Sequence, residues 1–253
     1  LVEWLPGPDN PFFARAIVNR VWANFFGRGL VEPVDDFRIS NPCVNPPLLD
    51  ALARDFVQHG CDLKHLMRTI MESRLYQLSS EPNATNLGDT RNFSRSYRRR
   101  LPAEVLLDAV NDVTGVPDTG NAFAPGARST QMWSYKIESQ FLDAFGRPNS
   151  SSDCPCERDL RTSVVQSLHL MNSRNIQAKL ANDKGRAHDL AASDRSPVEI
   201  VTELYLATLC RYPRPEEIRA ACAPFSGQEA TRRTATEDVL WALMNSAEFV
   251  FNH

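Results

Sequence analysis

Apolar segments with helical spacing, each bracketed by residues that start or end helices, constrain this sequence more than any other feature. Asn10 is a favourable N-cap, Pro11 suits the first helical position, and Gly27 stands where a left-handed residue ends a helix. The segment between them is apolar on most sides, which predicts a central buried helix. The same signals predict further helices that start near Pro46, Asp62, Pro102, Ser196, Pro215 and Thr234.

Two segments interrupt this helical pattern. Residues 79–100 are polar and turn-rich, and residues 116–126 combine Gly, Pro, Asn and Asp. Residues 131–137 are the best candidate for a short strand, and the pattern from residue 161 predicts one long helix or two that break near Asn172. Long irregular segments in a compact chain are common places for binding sites.

The predicted fold class is therefore mainly α. We expect one helical domain over residues 1–253, with two long irregular segments and at most a small β element; a subdivision would fall near residues 116–150. The chain begins without Met or a leader and closes on an apolar helical pattern. These ends are typical of a fragment from the C-terminal end of a longer protein.

Charge and motifs exclude several function classes. The 253 residues carry 28 basic and 31 acidic side chains, a formal net charge of −3, whereas nucleic-acid binders usually carry a basic surplus. No stretch approaches the roughly 18 apolar residues that a membrane helix needs, so we expect no membrane span. The sequence lacks a phosphate-binding loop, HExxH, a nucleophile elbow and CxxCH, so we expect no cofactor within this segment.

A polar line on the first predicted helix is the first candidate site. Arg15, Asn19 and Trp22 lie at i, i+4 and i+7 and so share one helix face, and a DDFR turn at residues 35–38 could supply carboxylates. One interpretation is a clamp for an anionic or hydroxyl-rich ligand, with Trp22 as a stacking platform. The other is a structural network, because a buried guanidinium needs acceptors. The candidate residues are Arg15, Asn19, Arg20, Trp22, Asp35, Asp36 and Arg38.

A pair of carboxylates on the helix after Pro102 is the second candidate. Glu104 and Asp108 are four residues apart and share a face, and Arg100 stands about one turn before Glu104. Two neighbouring carboxylates could share a metal or divide into general acid and base. The alternative is an ordinary solvated acidic face at a helix N-terminus.

The third candidate site is the segment DCPCERD at residues 153–159. Cys154 and Cys156 could supply two thiolates to a metal, with His169 as a further ligand, or act as a redox pair beside Arg158. The alternative is structural disulfides or buried thiols. The chain has six cysteines, an even number that fits an oxidising compartment, but their pairing cannot be read from the sequence.

Two smaller signals complete the candidates. The arginine run within residues 91–100 is either a solvated patch or a contact surface for a sulfated glycan or another polyanion. His59 and His65 lie near predicted helix ends, where histidines are more often caps or surface residues than ligands.

Several strings together resemble a known family. They are PDNPFFARAIVNRVWANFFGRGLVEPVDDFR, LLDALARDFVQHGCDLKHLMRTIMESRLYQLSS, RRRLPAEVLLDAV, DCPCER, VQSLHLMN and VLWALMNSAEFVFNH. Over essentially the whole chain they are similar to the planctomycete-type domain of unknown function 1553. The recurrent motifs of that family map onto Arg15, Asn19, Arg20, Trp22, Asp35, Asp36, Phe37, Arg100, Glu104, Cys154, Cys156, Glu157 and Asn172.

The resemblance implies a context more than a mechanism. Such domains usually form the C-terminal part of large periplasmic or secreted bacterial proteins, in which a cytochrome-c-like domain that would hold haem c stands upstream. This context favours disulfides and makes the upstream domains of the same polypeptide the expected partners. The family has no established activity that could be carried over to individual residues.

The leading functional expectation is an accessory or interaction domain of an extracytoplasmic, cytochrome-linked protein, engaged with polysaccharide or sulfated glycan. One alternative is a hydrolase-type enzyme whose site would consist of Arg15, Asn19, Asp35, Asp36, Glu104 and Asp108. Another is a redox or metal module that uses Cys154 and Cys156. The sequence leaves open whether the domain is catalytic.

Overall fold

The computed structural model describes residues 4, 7, 10–118, 126–132, 138–147, 163–227 and 230–252. In these residues the chain is mainly helical, as predicted. The α-helices are α1 (Phe13–Phe26), α2 (Pro46–Gln58), α3 (Leu63–Glu72), α4 (Ala103–Thr114), α5 (Gln140–Ala144), α6 (Val164–Asn172), α7 (Arg174–Leu180), α8 (Arg186–Ala192), α9 (Pro197–Leu209), α10 (Pro215–Cys222), α11 (Arg232–Met244) and α12 (Ala247–Val250). Strands β1 (Arg99–Arg100) and β2 (Phe251–Asn252) form a two-stranded sheet, and Ser129–Gln131 and Ala223–Ser226 are 3₁₀ helices.

Local capping explains where most of these helices begin and end. The Asn10 side chain accepts hydrogen bonds from the N–H groups of Phe12 and Phe13, but α1 begins at Phe13 rather than at Pro11, and its N-cap residue Phe12 makes no side-chain cap. Gly27 ends α1 with φ 77°, as predicted. Asp62 caps α3, and Ser196 forms a capping box with Glu199 at the start of α9. Apart from the start of α1, these ends follow the residues that marked them in the sequence.

The structure refines one sequence expectation, adds a helix that the sequence does not predict, and describes only the first two residues of the strand candidate. The pattern from residue 161 resolves into two helices, α6 and α7, that break at Ser173. Helix α8 has no side-chain cap, and no start signal in the sequence predicts it. Most of the strand candidate at 131–137 lies outside the described residues; Gln131 belongs to a 3₁₀ helix.

The chain divides into two compact units, residues 1–99 and 100–252, so the boundary precedes the 116–150 segment. In the first unit, α1, α2 and α3 pack on one another around a core that includes Val18, Trp22, Phe56 and Leu66. The aromatic rings of Trp22 and Phe26 stack at 4.2 Å, and Phe93 from the irregular segment packs edge-on against both.

The second unit has its own apolar core. Helix α11 packs against α8 and α9, and α4 packs against α5 and the Ser129–Gln131 turn. Leu106, Ile200, Leu204 and Leu240 are fully buried there. Over the residues that are described, no helix has the length and apolar character needed to cross a membrane.

Candidate functional site

A groove in the first unit brings together arginines from two distant parts of the chain. It has a volume of about 730 Å³ and lies between the end of α1 and the irregular segment after α3. Its charged lining residues are Arg28, Arg95, Arg98, Arg99 and Glu81. Four guanidinium groups therefore face a single carboxylate, and the groove carries a local charge of about +3.

The contacts of these arginines orient the guanidinium groups while leaving most of their charge uncompensated. Arg28 Nη1 donates to the carbonyl oxygen of Thr90 at 2.6 Å, and Arg99 Nη1 donates to that of Asn24 at 2.5 Å. A carbonyl accepts a hydrogen bond but carries no formal charge, so these guanidinium groups are fixed without being neutralised. Arg98 is the exception, since its Nη2 pairs with Glu81 Oε1 at 2.9 Å.

Two donors in this groove have no acceptor among the described residues. They are the buried Nε atoms of Arg28 and Arg95. The Arg95 guanidinium lies 5.4 Å from the centroid of the Tyr97 ring, and its contacts with the carbonyl oxygens of Ser80 and Ser96 are long, at 3.5 Å. Buried N–H groups without partners are costly, so these two Nε atoms add an energetic cost to the way Arg28 and Arg95 are held beside the groove.

The loop that carries Arg95 is held by Asp89. Its carboxylate accepts hydrogen bonds from the Ser94 hydroxyl and from the backbone N–H groups of Asn92 and Arg91, which hold the pKa of Asp89 far below its usual range. Phe93 follows in a left-handed conformation with φ 56°, and its N–H donates to the Tyr97 hydroxyl at 2.9 Å. The loop is thereby fixed to the aromatic core.

The charge of the groove is constant around neutral pH. Burial lowers the pKa of the Arg99 guanidinium, and burial raises the pKa of the Tyr97 hydroxyl. An arginine stays protonated despite such a shift, and the shift of Tyr97 keeps its phenol neutral. The groove therefore offers cationic donors over the whole physiological range.

The polar line on α1 separates into independent contacts. Arg15 Nη2 pairs with Asp50 at 2.6 Å on the edge of a second groove of about 520 Å³. Asn19 is fully buried; its amide donates to the carbonyls of Val31 and Val34 and accepts from the N–H of Val31. Asn19 thus ties α1 to the following loop.

The remaining candidates near α1 also have partners of their own. Arg20 pairs with Asp35 at 2.6 Å on the surface, and Arg38 pairs with Asp36. Trp22 is 2% exposed and stacks on Phe26, so a ligand cannot stack on it without displacing core rings. For the polar line on α1 and the turn at residues 35–38, the contacts match a structural network more closely than a ligand clamp.

The carboxylates of α4 are buried rather than solvated. Glu104 is 7% exposed and Asp108 is 4% exposed. Asp108 accepts hydrogen bonds from the N–H groups of Ser129 and Thr130 and from the Thr130 hydroxyl. It therefore anchors the Ser129–Gln131 turn to α4, and the solvated-face interpretation of this pair is wrong.

Arg100 is also buried, in the second unit. It donates to the carbonyl oxygen of Phe145 at 2.9 Å, and its guanidinium lies 5.5 Å from the centroid of the Phe145 ring. The contact joins the start of this unit to the segment that follows α5.

The cysteine candidates fall mostly outside the described residues. Cys154 and Cys156 lie there, so their redox or metal role stays a prediction. His169 lies in α6 against the rings of Phe141 and Phe145, and burial lowers the pKa of its imidazole. The cysteines that are described, Cys43, Cys61, Cys210 and Cys222, are free thiols.

Sequence reasoning singled out the arginine run but missed its partners in the groove. Arg28 lies 62 residues before Thr90, the residue whose carbonyl orients it, and no local spacing signals such a contact. The one sequence signal that pointed to this place is Gly27. A glycine that ends a buried helix also marks where another chain segment can approach the backbone closely.

The fold and these contacts define a mainly helical chain in the residues that are described. Over residues 1–224 the sequence matches the family described as protein of unknown function (DUF1553), and the chain belongs to that family. No curated protein and no solved structure matches the chain significantly.

Proposed function

We propose that this chain is a non-catalytic accessory domain that binds a sulfated or otherwise polyanionic polysaccharide in the groove of Arg28, Arg95, Arg98 and Arg99. The observation that carries the proposal is the convergence of four guanidinium groups on one groove with a single carboxylate. Planar guanidinium groups pair well with sulfate and carboxylate oxygens.

Two properties of the groove support a polysaccharide over a small anion, and the net charge of the chain supports binding at the groove itself. A volume of about 730 Å³ is larger than a single sulfate needs. Tyr97 contributes an aromatic ring beside the guanidinium of Arg95, which gives an apolar surface next to the charge. The net charge of the whole chain is −3, so a general basic surface would not explain binding at this groove.

The proposed context is an extracytoplasmic, cytochrome-linked multidomain bacterial protein, periplasmic or secreted. The match over residues 1–224 shows the family alone. The context is what the resemblance implies, since domains of this kind usually accompany cytochrome-c-like domains that would hold haem c. The upstream domains are the proposed partners within the polypeptide, and a polysaccharide ligand suits an extracytoplasmic protein.

Binding to dextran sulfate and to uncharged dextran tests the proposal. We expect the protein to bind dextran sulfate and not to bind dextran. The affinity for dextran sulfate should fall as the salt concentration rises, because added ions screen the attraction. Isothermal titration calorimetry at two ionic strengths measures both effects.

Matched variants locate the binding. Arg95→Gln and Arg28→Gln should each weaken binding by about tenfold, the equivalent of one lost charge-assisted hydrogen bond. Arg91→Gln is the control, because Arg91 belongs to the same run but is exposed and does not line the groove. Equal effects of all three substitutions would contradict the proposal, as would equal binding of dextran and dextran sulfate.

The hydrolase alternative requires a carboxylate that is available to a substrate. The carboxylate of Asp108 accepts hydrogen bonds from the Ser129–Gln131 turn. Asp35 and Asp36 form ion pairs with arginines. All three carboxylates therefore have structural contacts. These contacts favour the accessory domain over the enzyme.

A further inference from the structure

Two histidines and an aspartate meet at the corner between α2 and α3. Asp55 lies one turn before the end of α2, His59 is the first residue after that helix, and His65 lies in the first turn of α3. Asp55 Oδ1 is 3.3 Å from His59 Nδ1, and Asp55 Oδ2 is 2.8 Å from His65 Nε2. The two imidazole rings stack with centroids 3.8 Å apart.

We propose that Asp55, His59 and His65 form a binding site for a divalent transition metal ion such as Zn²⁺. Each residue offers one ligand atom, and the three ligand atoms lie within 4.8 Å of one another. Zinc binds imidazole nitrogen and carboxylate oxygen at about 2.0–2.2 Å, which puts neighbouring ligand atoms roughly 3–3.5 Å apart. Modest rotations of the three side chains therefore suffice to reach this geometry.

His59 Nδ1 also lies 2.9 Å from the backbone carbonyl oxygen of Asp55, so a ring nitrogen of His59 must turn away from this contact to reach the ion. Neutral histidine and ionised aspartate are the forms that bind metal. Together they carry one negative charge, which partly compensates the charge of the ion. The side chains are 35%, 49% and 28% exposed for Asp55, His59 and His65, so water can reach the site and complete the coordination.

The surrounding structure fixes where the ligands stand. Phe56 and Leu66, the residues next to Asp55 and His65, are buried in one core, and they set the separation of α2 and α3. The Asp62 carboxylate accepts from the N–H groups of Lys64 and His65, so it holds the first turn of α3. Cys61 packs against the apolar core and is not among the three residues that offer ligand atoms.

Titration of the full chain with ZnCl₂ tests this site. The chain has five histidines, and ¹⁵N-labelled imidazoles report each one by NMR. We expect the resonances of His59 and His65 to shift on Zn²⁺ addition while those of His169 and His188 do not. The imidazole readout distinguishes this site from zinc bound by the cysteine thiols.

Single substitutions then measure the contribution of each ligand. Asp55→Asn and His65→Ala should weaken Zn²⁺ binding by more than the roughly 10- to 100-fold that loss of an outer hydrogen-bond partner costs. His188→Ala, a half-buried histidine of α8 outside the cluster, is the control and should leave the affinity unchanged. Circular dichroism checks that each variant keeps its helices.

Two results would overturn the proposal. One is a wild-type protein whose His59 and His65 resonances do not respond to Zn²⁺. The other is Zn²⁺ binding with undiminished affinity in folded Asp55→Asn and His65→Ala proteins, since the ion would then bind elsewhere. The site is independent of the arginine groove, so failure of either proposal leaves the other standing.

Discussion

Asn19 and Arg20, which are neighbours on α1, contribute to stability to different degrees. Asn19 is fully buried and makes three hydrogen bonds to the backbone of residues 31–34, whereas Arg20 pairs with Asp35 at the surface. The hydrogen bonds of Asn19 and the ion pair of Arg20 link the same helix to the same loop. Burial determines how much each interaction contributes to the free energy of unfolding, because water competes for the exposed ion pair and not for the buried amide.

Replacing Asn19 by alanine should therefore destabilise the protein by about 2–4 kcal/mol, since the N–H and two carbonyl groups that it serves would lose their partner. Urea unfolding followed by circular dichroism measures the change. Arg20→Ala is the adjacent control and should cost less than about 1 kcal/mol, because both members of its ion pair are more than half exposed. A cost for Arg20→Ala as large as that for Asn19→Ala would contradict this account.

At the scale of elements, helix ends determine how segments meet. Gly27 and Gly60 both follow helices with positive φ, of 77° and 65°. A Cβ at Gly27 would lie 2.3 Å from Cδ of Arg99, whereas one at Gly60 would meet nothing within 4 Å. Gly27 thus ends α1 and also makes room for a side chain of the arginine groove.

Replacing each of these two glycines by alanine separates the cost of a left-handed backbone conformation from the cost of a clash with Arg99. Gly60→Ala should cost about 1–2 kcal/mol, the penalty of a left-handed non-glycine residue. Gly27→Ala should cost more and should also weaken dextran sulfate binding, because Arg99 must leave its hydrogen bond to Asn24. Urea unfolding and calorimetry on both variants check this, and equal effects would contradict it.

Arg211 joins two helices of the second unit. Its guanidinium pairs with Glu217 of α10 at 2.8 Å and with Glu248 of α12 at 2.6 Å. The hydrogen bonds from Arg211 lower the pKa of Glu217 to about 2, from an ordinary value of 4.5. Since the folded pKa is the lower one, the stabilisation is complete above pH 4.5 and disappears as the pH falls toward 2.

Glu217→Gln should consequently destabilise the protein at pH 7, and the difference from wild type should shrink between pH 4.5 and pH 3. Urea unfolding at a series of pH values gives the two curves. Glu216→Gln is the control on the same helix, because Glu216 makes no ion pair with Arg211. A difference that stays constant with pH would contradict the pKa assignment.

At the scale of the whole molecule, each of the two units has an apolar core of its own. Leu66 is completely buried in the core of the first unit, and Leu240 is completely buried in that of the second. Local stability follows such contacts, so we expect each unit to protect its own amides from exchange.

Leu66→Ala and Leu240→Ala should each cost about 2–5 kcal/mol, from lost burial and the cavity that remains. Hydrogen exchange followed by mass spectrometry should show the loss of protection within residues 1–99 for the first variant and within 100–252 for the second. Equal loss in both ranges for either variant would show that the two cores unfold together.

The sequence by itself determined the helical class and most helix ends. Asn10, Asp62, Ser196 and Gly27 act within a few residues of their own position, so their effect can be read locally. Helix α8 escaped prediction because it has no side-chain cap, and its Arg186 bonds to the carbonyl of Val113, 73 residues away.

Tertiary structure alone decided what the polar candidates do. Spacing placed Glu104 and Asp108 on one face but could not tell that this face is buried. In the sequence His59 and His65 stand near predicted helix ends, and no pattern there identified Asp55, which lies against both of them. The arginine groove depends on Arg28 as well as on the run at 91–100. The physical reason is that burial and charge convergence are properties of segments packed together, whereas caps and turns depend on the backbone of a single segment.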